Sequence, residues 1–112
     1  MPHTPRDVQI RNVNTGKNVV IYEPANVYDC ILGDDVFVGP FVEIQANTSI
    51  GRGTKIQSHT FICEYVTVGE NCFIGHGAMA TGVVAIKKAA FAAFQISELM
   101  TANYLASASG SA

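Results

Sequence analysis

Apolar side chains recur every six residues through the middle of the chain. From Leu32 the sequence divides without a gap into the six-residue units (hexads) LGDDVF, VGPFVE, IQANTS, IGRGTK, IQSHTF, ICEYVT, VGENCF and IGHGAM. The first place of every hexad is Leu, Ile or Val, and the fifth place is always Val, Thr, Cys or Ala. This period matches neither an amphipathic helix, at about 3.6 residues per turn, nor a hairpin meander.

A six-residue period is typical of a solenoid of short strands, in which each strand buries one aliphatic side chain. The small fifth-place side chain would lie beside it, and glycine, frequent at the second place, would let the backbone turn. The sequence therefore predicts an all-β fold. The predicted interior residues include Ile44, Ile50, Ile56, Ile62, Val68 and Ile74.

The hexad phase changes at both ends of this segment. Upstream of Leu32, Gly16, Ile21 and Val27 follow a phase shifted by one residue, which predicts a slip or bulge within residues 22–31. Residues 14–79 are predicted to form the solenoid, with residues 1–13 as an N-terminal cap. After Met79 no glycine-led hexad follows, and residues 83–105 are rich in residues that tolerate or favour helix. We therefore predict a helical cap over residues 80–105 and a disordered tail over residues 106–112.

Composition narrows the class of protein. The chain has 112 residues, enough for one domain, and its 48% apolar and 14% charged residues exclude disorder. A net charge of −2 without a large basic cluster argues against nucleic acid as a partner. The N-terminus lacks the apolar run of a secretory signal, and charged residues interrupt the C-terminal apolar stretch before it reaches a membrane-spanning length. These features predict a cytoplasmic protein without a membrane partner.

The hexads resemble those of the hexapeptide-repeat acyltransferases, and the segment IQSHTFICEYVTVGENCFIGHGAM resembles bacterial enzymes that N-acetylate nucleotide-linked amino sugars. The resemblance implies a left-handed parallel β-helix in which three hexads form one coil, or about three and a half coils in residues 14–79. It also implies acetyl-CoA as the donor and a role in surface polysaccharide biosynthesis. The family is usually a trimer, and outward aromatic residues favour a homotrimer here. These residues are Tyr22, Tyr28, Phe37, Phe41, Phe61 and Phe73.

Two histidines are the candidate catalytic residues. With three hexads per coil, residues 18 apart stack, so His59 and His76 should be near neighbours in consecutive coils. Imidazole, the side chain that titrates nearest neutral pH, could accept the proton of a sugar amine that attacks the thioester. We predict His76, in the GHG segment, as the base, with His59 beside it. The alternative is an inert histidine pair at a subunit seam.

The hexads that follow supply candidate substrate contacts. Gln45, Asn47 and Glu64 occupy outward places and are predicted to bind the sugar, although corner amides also commonly hydrogen-bond turn backbone. Cys63 has no basic neighbour in sequence and is more simply a packed thiol than a nucleophile.

A metal site is not predicted. The carbonic anhydrases that share this β-helix hold zinc with a histidine pair five residues apart and a third histidine. His3, His59 and His76 do not have that spacing. The three cysteines form no CxxC pair.

The family pattern breaks after Met79. Relatives continue from GHG into an Asn-Asp pair, a sugar-binding loop and further hexads that help to position donor and sugar, and this sequence reads differently. We therefore expect a truncated nucleotide-sugar N-acetyltransferase of impaired activity. The alternative is a noncatalytic β-helix module or an assembly partner of a longer homologue. An ice-binding solenoid is excluded because Thr48, Thr54 and Thr60 fall at inward places on three different faces.

Overall fold

The chain winds into a parallel β-helix of short strands. The computed structural model describes residues 3–81 and the strand residues 85–86. Its strands are β1 (Ile10–Thr15), β2 (Val20–Ile21), β3 (Asn26–Leu32), β4 (Phe37–Val38), β5 (Glu43–Ile44), β6 (Ser49–Ile50), β7 (Lys55–Ile56), β8 (Phe61–Ile62), β9 (Thr67–Val68), β10 (Phe73–Ile74), β11 (Met79–Ala80) and β12 (Ala85–Ile86).

The strands stack on three faces, each four strands high. Face 1 contains β3, β5, β8 and β11, face 2 contains the far end of β3 with β6, β9 and β12, and face 3 contains β2, β4, β7 and β10. All pairs are parallel, and in the upper coils partners lie 18 residues apart, as in Ile56↔Ile74. The predicted all-β solenoid with three hexads per coil is confirmed, and it has about four coils rather than three and a half.

The turns between faces stack into three corners, which we name by their residues. Corner A contains residues 39–42, 57–60 and 75–78, between face 3 and face 1. Corner B contains residues 45–48 and 63–66, between face 1 and face 2. Corner C contains residues 33–36, 51–54 and 69–72, between face 2 and face 3.

The interior is filled by the first- and fifth-place side chains, as predicted. Each of them from Leu32 to Ala78 is at most 2% exposed. Three of these buried positions are threonines, and each hydroxyl donates a hydrogen bond to a carbonyl oxygen. Thr48 Oγ1 lies 3.2 Å from the Cys63 oxygen, and Thr54 Oγ1 lies 2.8 Å from the Gly69 oxygen. A buried hydroxyl without a partner would be costly, so these bonds explain why threonine is tolerated inside.

The lowest complete coil is one residue shorter than the others. Strand partners lie 17 residues apart as far as Val27↔Ile44 but 18 apart from Ile31↔Ser49 onward. The slip therefore lies between Val27 and Ile31, within the range that the sequence suggested. β1 pairs with β3 from Ile10 onward, so strand structure begins inside the predicted N-terminal cap.

The solenoid continues past Met79, where the sequence predicted a helix. β11 pairs with β8, and β12 pairs with β9. At Ala80 and Ala85–Ile86 the predicted helical cap over residues 80–105 is therefore wrong. Ala80 and Ile86 lie six and twelve residues after Ile74, so the apolar period persists although Thr81 replaces the second-place glycine. The rest of the cap and the predicted tail over residues 106–112 lie outside the described residues.

The fourth place of each hexad has left-handed backbone. The residues there are Asp35, Phe41, Asn47, Gly53, His59, Tyr65, Asn71 and Gly77, with φ between 54° and 72°. Gly, Asn and Asp adopt this conformation readily, whereas other L-residues pay about 1–2 kcal/mol for it. Phe41, His59 and Tyr65 therefore sit where the fold alone would favour a different residue.

Replacing Tyr65 by asparagine is expected to raise the free energy of unfolding by about 0.5–1 kcal/mol, because asparagine tolerates left-handed backbone. The Tyr65 side chain is 56% exposed, so its removal sacrifices little burial. Urea denaturation of both proteins measures the difference. The matched control is Thr67→Asn on the exposed side of β9, where no gain is expected. Equal effects of the two substitutions would contradict this assignment of strain.

Candidate functional site

Corner A differs from the other two corners in the side chains that it presents. At the fourth place, corner C has Asp35, Gly53 and Asn71, residues that suit left-handed turns. Corner A instead has the rings of Phe41 and His59 there. Among the described residues, both histidines of the repeat lie at corner A, which makes it the candidate site for proton transfer.

The imidazole of His76 is hydrogen-bonded to a serine in the coil below. Ser58 Oγ lies 3.0 Å from His76 Nδ1. The strand pair Ile56↔Ile74 sets this register, because two residues further along it places Ser58 directly beneath His76. The His76 side chain is exposed and Ser58 is half-buried. One nitrogen of the ring is therefore occupied by the protein, and the ring itself is accessible to a substrate.

His59 has a different environment at the same corner. Its ring stacks on Phe41 in the coil below, with ring centroids 5.1 Å apart and planes inclined by 24°. Its backbone N–H donates to the Pro40 oxygen at 3.3 Å. The structure thus brings His59 and His76 to one corner in consecutive coils, but His76 bonds to Ser58 rather than to His59. The catalytic roles of both remain predictions.

A buried threonine connects the two turns that carry Ser58 and His76. Thr60 Oγ1 lies 2.8 Å from the Gln57 oxygen and 3.1 Å from the Gly75 oxygen. These two carbonyls immediately precede Ser58 and His76. A shared buried donor fixes the turns relative to each other, so the serine and the imidazole rest on a rigid base.

Close backbone approach also holds Ser58 from below. A Cβ atom placed on Gly39 would come within 2.9 Å of the Ser58 nitrogen, closer than real Cβ contacts allow. Glycine is therefore required at position 39 for corner A to stack at this spacing.

The predicted sugar-binding residues lie at corner B, away from the histidines. Gln45 Nε2 donates to Glu43 Oε2 at 2.8 Å, while Asn47 and Glu64 are exposed. Cys63 lies one coil above Gln45 and is half-buried. The structure therefore places the two predicted groups of site residues at adjacent corners, on either side of face 1.

The larger of two described clefts follows the slip in the lowest coil. It has a volume of about 630 Å³ and its lining includes Asn12, Asp29, Ile31 and Asn47. Asn12 Nδ2 donates to Asp29 Oδ1 at 2.6 Å across its lower edge. Of the predicted substrate residues, only Asn47 lines this cleft. A smaller cleft of about 160 Å³ reaches corner A at Phe41.

The cysteines offer no activated thiolate in the interior. Burial, with a smaller contribution from Asp29, raises the pKa of the Cys30 thiol to about 11. Burial also raises the pKa of Cys72, although its hydrogen bonds oppose the effect. A raised pKa keeps a thiol protonated, and the thiolate is the reactive form.

Iodoacetamide at pH 7 is therefore expected to label Cys63 well before Cys30 and Cys72. A thiol with a pKa near 11 is ionised in roughly one molecule in 10⁴ at this pH, and both buried side chains are also inaccessible. Peptide mass spectrometry during a time course measures each site, and denatured protein, in which all three should react, provides the control. Equal labelling of Cys30 and Cys63 in native protein would contradict the described burial.

Two other features were searched for in the described part of the chain. Residues 3–81 contain no group of three or more His, Cys, Asp or Glu side chains placed to hold a metal ion. None of the described residues forms a helix with the length and apolar character needed to cross a membrane.

Comparison with known proteins identifies the repeat. Residues 29–64 match the family described as bacterial transferase hexapeptide (six repeats). A UDP-3-O-acylglucosamine N-acyltransferase from Campylobacter curvus (strain 525.92) is 40% identical over 72 residues, which are 61% of this chain and 20% of that enzyme. The chain therefore spans about a fifth of the length of this curated relative. Residues 29–64 are hexapeptide repeats of the bacterial transferase type, and the two matches together support a hexapeptide-repeat acyltransferase.

Proposed function

We propose that this chain belongs to an N-acyltransferase that acetylates the amino group of a nucleotide-linked amino sugar, with acetyl-CoA as the donor. The observation that carries the proposal is the exposed imidazole of His76, hydrogen-bonded to Ser58 at corner A within hexapeptide repeats. The similarity to an N-acyltransferase named for a UDP-linked acylglucosamine supports this class of acceptor. The resemblance of residues 56–79 to N-acetyltransferases supports acetyl-CoA and a role in surface polysaccharide biosynthesis.

The proposed reaction joins the amine of the sugar to the acyl carbon. The amine lone pair attacks the thioester carbonyl, a C–N bond forms, and the C–S bond breaks as the electron pair leaves on sulfur. His76 accepts the proton that the amine nitrogen must lose and can return it to the departing thiolate. A positioned base of this kind contributes about 10²- to 10⁴-fold to rate.

Corner B is the proposed contact surface for the sugar. Asn47 lines the cleft there, and Gln45 and Glu64 lie on the same corner with polar groups suited to hydroxyls. Face 1 separates this surface from His76, so an extended substrate such as a nucleotide sugar fits the arrangement better than a small amine.

The test is an acyl-transfer assay with the full chain. Acetyl-CoA and a UDP-linked amino sugar should yield free thiol and an acetylated sugar, detected by mass spectrometry. The same sugar already N-acetylated is the matched control and should yield neither. Absence of donor binding in calorimetry, together with absence of product, would overturn the proposal and favour the noncatalytic module.

A homotrimer is also proposed, because aromatic residues are exposed on face 3 and corner A. Tyr22, Phe41 and Phe73 are 53%, 57% and 43% exposed, and the Tyr22 ring lies 5.6 Å from that of Phe37. A group of exposed apolar rings favours association. Sedimentation velocity at micromolar concentration is expected to show a trimer, and Phe73→Glu is expected to dissociate it. A stable monomer of the unaltered chain would contradict this prediction.

A further inference from the structure

We propose that Ser58 is a positioning residue that holds the His76 imidazole in the tautomer whose Nε2 accepts the proton. The proposal deepens the proposed function and rests on it, since it assigns the reacting nitrogen of the same base. Ser58 itself does not touch the reacting atoms.

The geometry confines the serine to one nitrogen of the ring. The 3.0 Å contact is made by Nδ1, which leaves Nε2 as the nitrogen available to a substrate. The serine backbone is fixed from above by the bond from the Gly77 nitrogen to the Ser58 oxygen, at 3.1 Å. Thr60 and the close approach of Gly39 hold the same turn from its other sides.

The direction of this hydrogen bond decides whether His76 can act as a base. If Nδ1–H donates to the serine oxygen, Nε2 carries a free lone pair and can accept a proton. If the serine hydroxyl donates to Nδ1, the ring proton lies on Nε2, which cannot then accept another. In the imidazolium form both nitrogens carry protons, so Nδ1–H must donate to Ser58. Only the first arrangement keeps the same bond before and after proton transfer, and a base that need not reorganise is the favourable one.

His59 lacks this arrangement, which separates the two histidines. The residue beneath His59 is Phe41, whose ring stacks on the imidazole and supplies no acceptor oxygen. Its neighbour above is Gly77, which has no side chain. Ser58 is therefore the feature that distinguishes His76 as the base, and His59 serves as an internal control for any measurement on the ring.

The first experiment reads the tautomer directly and needs no activity. Nitrogen-15 NMR of the imidazoles, above the pH at which they titrate, should show His76 with its proton on Nδ1. Ser58→Ala should shift His76 toward the Nε2-protonated form that is common in free histidine, while the His59 signals stay unchanged. Ser58→Thr, which keeps the hydroxyl, should restore the native spectrum. A His76 proton on Nε2 in the unaltered chain, or no change in Ser58→Ala, overturns the proposal.

The second experiment connects the tautomer to turnover. Ser58→Ala should lower kcat about 10- to 100-fold with KM unchanged, a part of the effect of the base itself, and Ser58→Thr should recover most of it. If Ser58→Ala changes the tautomer but His76→Asn turns over normally, the proposed function fails, and the catalytic part of this proposal fails with it. If His76→Asn is inactive but Ser58→Ala keeps full kcat, the positioning role alone fails and the proposed function stands.

Discussion

Replacement of His76 by asparagine is expected to lower kcat about 10²- to 10⁴-fold, the range by which a positioned general base contributes. Asparagine occupies a similar volume and can still bond to Ser58 Oγ, but its amide does not accept a proton at neutral pH. The native 3.0 Å contact gives the asparagine a partner at the same place, so the corner should keep its shape. The loss should appear in kcat rather than KM, because proton removal occurs in the transition state.

The measurement is thiol release from acetyl-CoA with the sugar acceptor across a pH series. With His76 present, the rate should fall in acid as the imidazole becomes protonated, and this acid limb should disappear in His76→Asn. His59→Asn is the matched control, since it removes the other imidazole of corner A from a position whose left-handed backbone suits asparagine. An unchanged rate and pH profile in His76→Asn would remove His76 from the mechanism.

The interior of the fold could be predicted from sequence because a one-dimensional period encodes it. Each first-place residue faces its equivalent 18 residues later, so a single rule places Val38, Ile56 and Ile74 in one buried column. The same rule places the two histidines in consecutive coils of one corner. Local repetition determines these positions, and no long-range information is needed.

The end of the solenoid was mispredicted because its signal is divided between two places of the hexad. The glycine of the second place is lost at Thr81, whereas the apolar first place persists at Ala80 and Ile86. Alanine is also a strong helix former, so composition favoured a helix where the period favoured a strand. In the described coils, strand pairing with β8 and β9 outweighs that local propensity.

The contacts at corner A could be only partly predicted. The 18-residue register already places Ser58 beneath His76, so the pair was available from the sequence once both positions were compared. Which side chain reaches which depends on rotamers and on the left-handed turn at His59, which aims that ring at Phe41. The cleft beside Asp29 likewise follows from a one-residue slip whose exact place only strand pairing reveals.

The repetition of the fold accounts for how a site can vary without loss of stability. Buried columns carry the packing, while the corners project side chains that contribute little to the core. Corner C uses residues that suit its backbone, and corner A has rings and a hydrogen-bonded imidazole there instead. A change at the interior and a change at corner A should therefore have separable effects, one on unfolding and the other on turnover.

Replacing Ile56 by alanine is expected to lower the free energy of unfolding by about 2–5 kcal/mol. Ile56 is 0% exposed and lies in β7, paired with Val38 below and Ile74 above. Truncation leaves a cavity between two coils that cannot close, because backbone hydrogen bonds fix the spacing of the strands on both sides. Since folded domains are stable by only about 5–15 kcal/mol, the loss should be a large part of the total.

Lys55→Ala is the matched control for this substitution. Lys55 is the neighbouring residue of the same strand and its side chain is exposed, so its truncation should change stability by less than about 0.5 kcal/mol. Both variants are compared with the unaltered chain by urea denaturation at one protein concentration, because association would make apparent stability depend on concentration. Similar small losses in the two variants would mean that the first-place residues do not form the core. A large loss in Ile56→Ala alone would establish that this column carries the stability of the solenoid on which corner A is built.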